Sequence, residues 1–498
     1  MKNYIMVIDE GTTGTRALIF DKNFNIVSQS YSEFTQYTPS EDKVEHDANE
    51  IYDKSIEMCK FALKQANVTA DEIDTIGITN QRATCLVWDK NTGEPLYNAI
   101  VWQDNRTADL AQKINSCEWG QKARQATGWT VAPVYSSLML NWYIENVPTI
   151  KEKIDSGEAL FGTIDTWLIW KLTNRKVHAT SFSNASVMGS LDLKTGKWYE
   201  EFLDYLGVPV TIYPNVIEDS GDFGATASEI FGASIPITGV IADQHAALFA
   251  QGCIEAGMGK CTNGTGTFID VNIGNKCVIS EKGLSTVIAW KIGKDITYAV
   301  EGYSAVTGSA IQWLRDGLGI IKSSEETENM ANSVEDSNGV YFVPALAGLS
   351  APYWDAFARG MIIGITRGTT SAHIVRATLE AIAYLSKDIF DAITDEAGVK
   401  MKSINIDGGA SKNNFLAQFL SDMINATVQR PVSIEATSLG AAQMAGLYTG
   451  FWNMEDLNNT VVNERIFNPM LEAGKRELLY SNWQEAVKRS SGWIKVNV

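Results

Sequence analysis

Nowhere in the 498 residues do about 18 apolar residues run together, so no transmembrane helix is expected. Asp9 interrupts any apolar stretch near the N-terminus, which speaks against a secretory leader. The six cysteines (Cys59, Cys85, Cys117, Cys253, Cys261, Cys277) form no CxxC pair, and the four histidines (His46, His178, His245, His373) are scattered. Neither set offers a zinc site, and the thiols are expected to be reduced in a cytoplasm. Positive charge is in deficit: 41 Lys and Arg stand against 59 Asp and Glu, a formal net charge of −18. Nucleic acid and anionic membrane surfaces would repel such a chain, so neither is an expected partner. An anionic small ligand is not excluded, but it needs a local concentration of N–H groups, Arg or metal. Low-complexity tracts and long linkers are absent as well. What is present is a globular composition, 45% hydrophobic and 20% charged, in a chain long enough for two large domains.

The stretch from residue 4 to 33 alternates short apolar runs with turns ("YIMVIDE", "TRALIFDKNFNIVSQS") and reads as a β-meander. The pattern returns at 259–280, "GKCTNGTGTFIDVNIGNKCVIS", where a strand again leads into a Gly/Thr turn and an apolar strand. Two such hairpins far apart in one chain predict two related domains. After the first hairpin, "ANEIYDKSIEMCKFALKQA" has helical spacing and "IDTIGITNQRATCLVWD" reads strand, turn, strand. In the second half "IVRATLEAIAYLSKDIFDAI" is an amphipathic helix, followed by the strand "SINIDGGA" and the helix "KNNFLAQFLSDMI". On that last helix Phe415, Leu416, Phe419, Leu420, Met423 and Ile424 share one face. The expected fold class is α/β: mixed sheets with helices on both sides, twice over, with a boundary near residue 250 and a ligand cleft between the halves.

The turn in "IDEGTTGTRALIFD" poses the chemical question, because two carboxylates precede five residues of Gly and Thr. A plain hairpin is one reading. The other is a nest of backbone N–H groups for phosphate oxygens. Thr12, Thr13 and Thr265 can add hydroxyl donors and Arg16 adds charge. Asp9 would repel phosphate unless a cation lies between, and Mg²⁺ can be held by one or two carboxylates with water completing its shell. Two facing turns would then grip one polyphosphate, with ATP as the ligand. The junction "NIDGGASKNN" allows a flat ring to approach the backbone, or is simply a helix start with Asn413 or Asn414 near the cap.

The ordered set "DEGTTGTRA", "GITNQR", "YNAIVWQDNRT", "GTIDTWLIWKLT", "ADQHAALFAQG", "NGTGTF", "GSAIQWLRD", "GLSAPYWDAFARG" and "DGGASKNN" resembles the FGGY carbohydrate kinases, glycerol kinase branch, over nearly the whole chain. The resemblance implies two ribonuclease H-like (actin-like ATPase) domains flanking a central cleft, here 1–250 with substrate and first phosphate loop and 251–498 with nucleotide. It implies Asp243 as general base, with Asp9 and Arg16 as further catalytic groups and Asp9 and Asp243 around Mg²⁺. Asp243 as a cap of "QHAALFAQ" is the competing reading. ATP contacts carried over are Thr12, Thr13 and Arg16 in the first hairpin and Gly264 and Thr265 in the second. Gly308, Ile311, Gln312, Gly409, Ala410 and Asn413 would lie near the base or ribose. The implied polyol contacts are Arg82, Trp102, Asp243, Gln244 and Phe268.

Three positions depart from the glycerol kinase pattern. Ala83 stands where those enzymes carry Glu, Val134 where they carry Tyr, and Met139 where they carry a signature Lys. Tyr135 is the neighbouring candidate to replace the lost phenol, although adjacent residues of a strand face opposite ways. The expected reaction is ATP-dependent phosphorylation of a terminal hydroxyl of a small polyol, glycerol first. A larger polyol or ketose, such as a tetritol or pentulose, is the alternative that Ala83 and Val134 open. An actin-like ATPase without an acceptor is the rival of another class. It would need a peptide-binding or filament region, for which the helix "KRELLYSNWQEAVKRS" and tail "SGWIKVNV" leave no room. The resemblance further implies a cytoplasmic homo-oligomer, dimer or tetramer, with no nucleic acid and no membrane insertion. The loop 216–232 has no His, so activation by His phosphorylation there is not expected.

Overall fold

The run "YIMVIDE" forms β1 (Tyr4–Glu10), buried from Ile5 onward because it lies at the centre of a sheet. The computed structural model describes residues 2–495 apart from 433–434 and 458–459, so the end of the C-terminal tail lies outside it. β1 pairs antiparallel with β2 (Gly14–Asp21), and β2 with β3 (Ile26–Glu33), forming the expected meander. Helix α1 (Ala48–Ala66) starts at Asp47, whose carboxylate accepts from the Asn49 and Glu50 amides, and stops at Asn67 in the left-handed region (φ 54°). It buries Ile51, Ser55, Met58, Cys59 and Ala62. β4 (Ile73–Asn80) runs parallel to β1, and β5 (Ile237–Ala242), far downstream, runs parallel to β4. The order is β3-β2-β1-β4-β5. A second five-stranded sheet takes Tyr37–Ser40 and Lys43–His46 from the segment between β3 and α1, and Cys85–Asp89, Ala99–Ile100 and Ala159–Thr163 from the segment between β4 and β5, with helices around a core of Leu138, Met139, Tyr143 and Phe161.

Helix α2 (Asp243–Ala250) leads into the second half. There β6 (Met258–Asn263), β7 (Thr267–Gly274), β8 (Ser285–Ile292) and β9 (Asp295–Ser304) pair antiparallel as β6-β7-β9-β8. The 27-residue helix α3 (Ser371–Ala397) ends at Gly398 (φ 65°), followed by β10 (Ser403–Asp407), α4 (Asn414–Ile424), β11 (Thr427–Pro431), α5 (Ala436–Thr449), β12 (Asn463–Phe467) and α6 (Ala473–Ser490). The sheet reads β8-β9-β7-β6-β10-β11-β12, with β10 parallel to β6 and β11 parallel to β10. Without β8 and β12, the two sheets have one topology: three antiparallel strands, then two parallel strands beside the first. The duplication expected from the two hairpins is therefore built into the strand order. On α4, Leu416, Phe419, Leu420 and Met423 are buried in the core of this half, and Phe415 and Ile424 pack at its margin.

Helices α2 and α5 occupy equivalent places, each after the fifth strand of its sheet, and they pack against each other and on the first sheet. The contact is backbone on backbone. A Cβ on Gly440 would lie 2.1 Å from the Ala246 carbonyl oxygen, and one on Gly77 would lie 2.5 Å from that of Ala441. Only glycine lets these elements approach so closely. Among the described residues, no helix is long and apolar enough to cross a membrane.

Candidate active site

The first Gly/Thr turn closes between Asp9–Arg16 and Glu10–Thr15 register pairs, with the Gly11 amide donating to the Gly14 carbonyl at 3.0 Å. Asp9 thus lies one residue before the end of a central strand, and it is buried. Its Oδ2 accepts from the hydroxyls of Thr437 (2.9 Å) and Ser438 (2.5 Å) in the first turn of α5. Burial raises its pKa above the ordinary value, while those two hydroxyls and Arg16 oppose the rise. No hydrogen bond from the described residues reaches Asp9 Oδ1. Arg16 pairs with Glu435, just before α5, and lies over the Tyr31 ring at 5.8 Å. The Trp102 indole donates to the Thr12 hydroxyl at 3.0 Å, tying the turn to the segment that follows Ile100. The Thr13 carbonyl accepts from the Phe34 amide, a link inside the first half.

The second turn is held differently. Gly308 donates its amide to the Gly264 carbonyl at 3.0 Å, and Thr307 and Ser309 donate theirs to that of Thr265. A Cβ on Gly308 would meet Gly264 O at 2.6 Å. Gly408 (φ 86°) presses against the Asn263 backbone, and beyond it Gly409 faces open space. The result is a cavity of about 360 Å³ walled by Gly264, Thr265, Gly308, Ile311, Gln312, Gly409 and Ala410. All seven were expected nucleotide contacts. Asn413 instead stands behind the wall, accepting from the Leu416 amide as the cap of α4 and donating to Thr327. Arg315, Ser324, Glu325 and Lys412 complete the lining and were not singled out in the sequence. Lys412 was within reach of such a reading, because it sits inside "DGGASKNN".

A second cavity, about 130 Å³, lies along β7 and is lined by Arg82, Gln244, Phe268, Asp270, Glu301 and Tyr303 among others. Arg82 Nε is 3.6 Å from Asp243 Oδ1, and its other end pairs with Glu301. Asp243 opens α2; its Oδ1 accepts from the Gln244 amide at 2.7 Å while the carboxylate stays 28% exposed to the cleft. The helix-cap reading is therefore partly realised, although Ala242 is the cap residue. Burial raises the Asp243 pKa, with the Arg82 guanidinium opposing it and the charge of Asp9 adding to it. For Glu301, burial works against ionisation but Arg82 and His245 outweigh it and hold it well below the carboxylate range. Trp102 and Phe268 stand half-exposed at the rim (41% and 48%).

Other expected residues fall outside this cluster. Tyr135 is fully buried, its ring 4.3 Å from that of Trp129 and its hydroxyl donating to the Trp129 carbonyl at 2.7 Å. The segment is no strand: Tyr135 is the N-cap of a helix, Ser136–Asn146, so its side chain turns into the core instead of replacing a phenol in the cleft. Val134 is half-buried just before it. Ala83 is buried at φ 64°, with Ser136 donating to its carbonyl at 2.8 Å. Met139 lies in the core against Cys85. Asp270, Glu301, Tyr303 and Lys260 were missed in the sequence; for Lys260 and Asp270 the only signal is a single charged residue within its strand.

Residues 4–250 match the FGGY family of carbohydrate kinases, N-terminal domain, and residues 259–448 match its C-terminal domain. The chain belongs to this family. It is a kinase, an ATP-dependent phosphotransferase, with the actin-like two-domain fold of the family. Glycerol kinase 2 of Thermotoga maritima is 47% identical over 493 residues, 99% of either chain. Glycerol kinase of Bacillus subtilis is 46% identical over 490 residues, 98% of this chain and 99% of that one. The crystal structure of Plasmodium falciparum glycerol kinase with ADP superposes with a TM-score of 0.94 at 35% identity, covering 99% of both chains. A ligand-bound xylulose kinase from Lactobacillus acidophilus shares the fold, with a TM-score of 0.86 at 22% identity over 98% of both chains.

Proposed function

We propose that the protein transfers the terminal phosphoryl group of ATP to a terminal hydroxyl of glycerol. The carrying observation is the grouping of Arg82, Asp243, Gln244 and Phe268 beside a small cavity on the strand whose turn also walls the larger one. The glycerol kinases of Thermotoga maritima and Bacillus subtilis share nearly half their residues with this chain, which supports glycerol over a larger acceptor.

In this reading residues 1–250 carry the acceptor site and first phosphate loop, and 251–498 carry the nucleotide. Gly264, Thr265 and Gly308 present backbone to the phosphates, and Gly409 and Ala410 take the base. Asp9 and Asp243 fit a divalent cation: burial raises the pKa of both, the charge of Asp9 adds to the rise at Asp243, and Asp9 keeps one oxygen uncommitted. Asp9 and Asp243 would hold Mg²⁺, which when bound would supply neutralisation of phosphate charge. Asp243 takes the proton of the acceptor hydroxyl; its raised pKa makes it a stronger base than an ordinary carboxylate. Arg82 orients the acceptor, and Trp102 and Phe268 cover its carbon chain. Positioning and charge neutralisation dominate such a transfer, and closure of the cleft excludes water as a competing acceptor. A cytoplasmic homo-oligomer completes the reading.

The test is a panel of glycerol, erythritol, threitol, dihydroxyacetone and pentuloses, scored by kcat/KM with ATP. Glycerol is expected to lead, with one ADP per phosphorylated product. ADP release that ignores added polyol would favour an acceptor-free ATPase.

A further inference from the structure

Lys260 and Asp270 form a buried pair, 1% and 3% exposed, beside the acceptor cavity. Lys260 Nζ lies 2.7 Å from Asp270 Oδ2 and donates to Gln244 Oε1 at 2.6 Å. Burying a lysine is costly unless its charge is met. Here burial would lower its pKa, but Asp270 and Asp407 outweigh that, so the ammonium keeps its proton. An ammonium has three donors and no acceptor, so it can only face the oxygen of the Gln244 amide. The usual ambiguity between amide oxygen and nitrogen is thereby resolved by chemistry. Gln244 lines the cavity, and no hydrogen bond with the described residues occupies its amide nitrogen.

We infer that Lys260, locked by Asp270, is a positioning residue that fixes Gln244 with its NH₂ toward the acceptor, so that this wall of the pocket reads an oxygen lone pair. Arg82, a second pure donor, lines the same cavity. The carboxylates of Asp270 and Glu301 in the same lining are already paired with Lys260 and Arg82, so the Gln244 wall selects an acceptor that offers a hydroxyl or carbonyl oxygen there over one that offers an ammonium. This inference rests on the acceptor site proposed above.

The Lys260→Met/Asp270→Leu double variant removes both charges together and strands neither. It is expected to raise the KM for glycerol about tenfold while the KM for ATP stays unchanged. It is also expected to raise the kcat/KM ratio of serinol, an amino analogue of glycerol, to glycerol by roughly tenfold, because the freed amide can turn its oxygen inward. A double variant with both readouts unchanged would overturn the inference. If that variant does not fold, the native enzyme decides: discrimination of roughly a hundredfold against serinol supports the inference, and use of serinol within about threefold of glycerol overturns it. Gln244→Ala separates the two levels. A raised glycerol KM in Gln244→Ala with an unmoved double variant sinks only the role of Lys260, whereas an unmoved glycerol KM in Gln244→Ala sinks the acceptor site and this inference with it.

Discussion

The two Gly/Thr turns share a hairpin and a sheet position but grip their surroundings by different means. The first, between β1 and β2, is anchored through side chains: Asp9 to Thr437 and Ser438, Arg16 to Glu435, Thr12 to Trp102. The second, between β6 and β7, is anchored through backbone, with three successive amides from 307–309 on the carbonyls of Gly264 and Thr265. One copy of the duplicated unit has kept charged, ionisable chemistry at its turn, and the other has become a main-chain cradle. The difference matches the division of labour proposed here, since a cation and the phosphate beside it need charged partners and the rest of a nucleotide needs close main-chain contact.

Substitutions on the two sides should break this contrast unequally. Asp243→Asn is expected to lower kcat by roughly 10²–10⁴ while leaving thermal unfolding unchanged, measured by steady-state assay and calorimetry. Near-native turnover would remove Asp243 from the base role. On the other side, Gly308→Ala forces a methyl against the Gly264 carbonyl. Overpacking of that kind costs about 1–3 kcal/mol, so a rise in ATP KM of about tenfold or more is expected with the glycerol KM little moved. Equal rises in both would mean that the cradle also shapes the acceptor site. Ser438→Ala removes one of two hydroxyls from Asp9 and should cost about 1 kcal/mol, read as a severalfold lower kcat.

The smallest effect concerns Glu10, next to Asp9 and fully buried. Burial pushes its pKa up from 4.5 to about 7, with Ser55 and Thr15 opposing. The unfolded chain releases that proton near 4.5 and the folded chain near 7, so the fold favours the protonated form. Its contribution is fully present below the lower value and is lost as pH rises through the upper one. Glu10→Gln should flatten that part of the stability profile, seen as a smaller difference between denaturant midpoints at pH 5 and pH 8. An unchanged difference would mean that Glu10 is ionised throughout.

Local pattern carried much of this architecture. The meander, α1, α3 and α4 follow from periodicity and caps; in the wall of the larger cavity Gly264 and Gly409 follow from glycines at strand ends, whereas Gly308, Ile311 and Gln312 came only through the family resemblance. Tyr135 did not, because a two-residue alternation cannot tell a strand from the lead into a helix. Lys260 and Asp270 did not either, since a lone charge in an apolar strand has meaning only once the opposite wall is known. The approach of α5 to the first sheet was illegible for a similar reason: "LGAAQMAG" announces small residues without saying what comes close to them.

That approach places the start of α2, which is Asp243, and the start of α5, which holds Asp9, on two rods in direct main-chain contact. A methyl added at position 440 would wedge the rods apart and carry both carboxylates with them. In the reading proposed above, the spacing between alcohol and phosphate would be set by hydrogen atoms some way from either reactant. Stepwise enlargement at that seam would give a ruler for how reaction rate depends on that spacing.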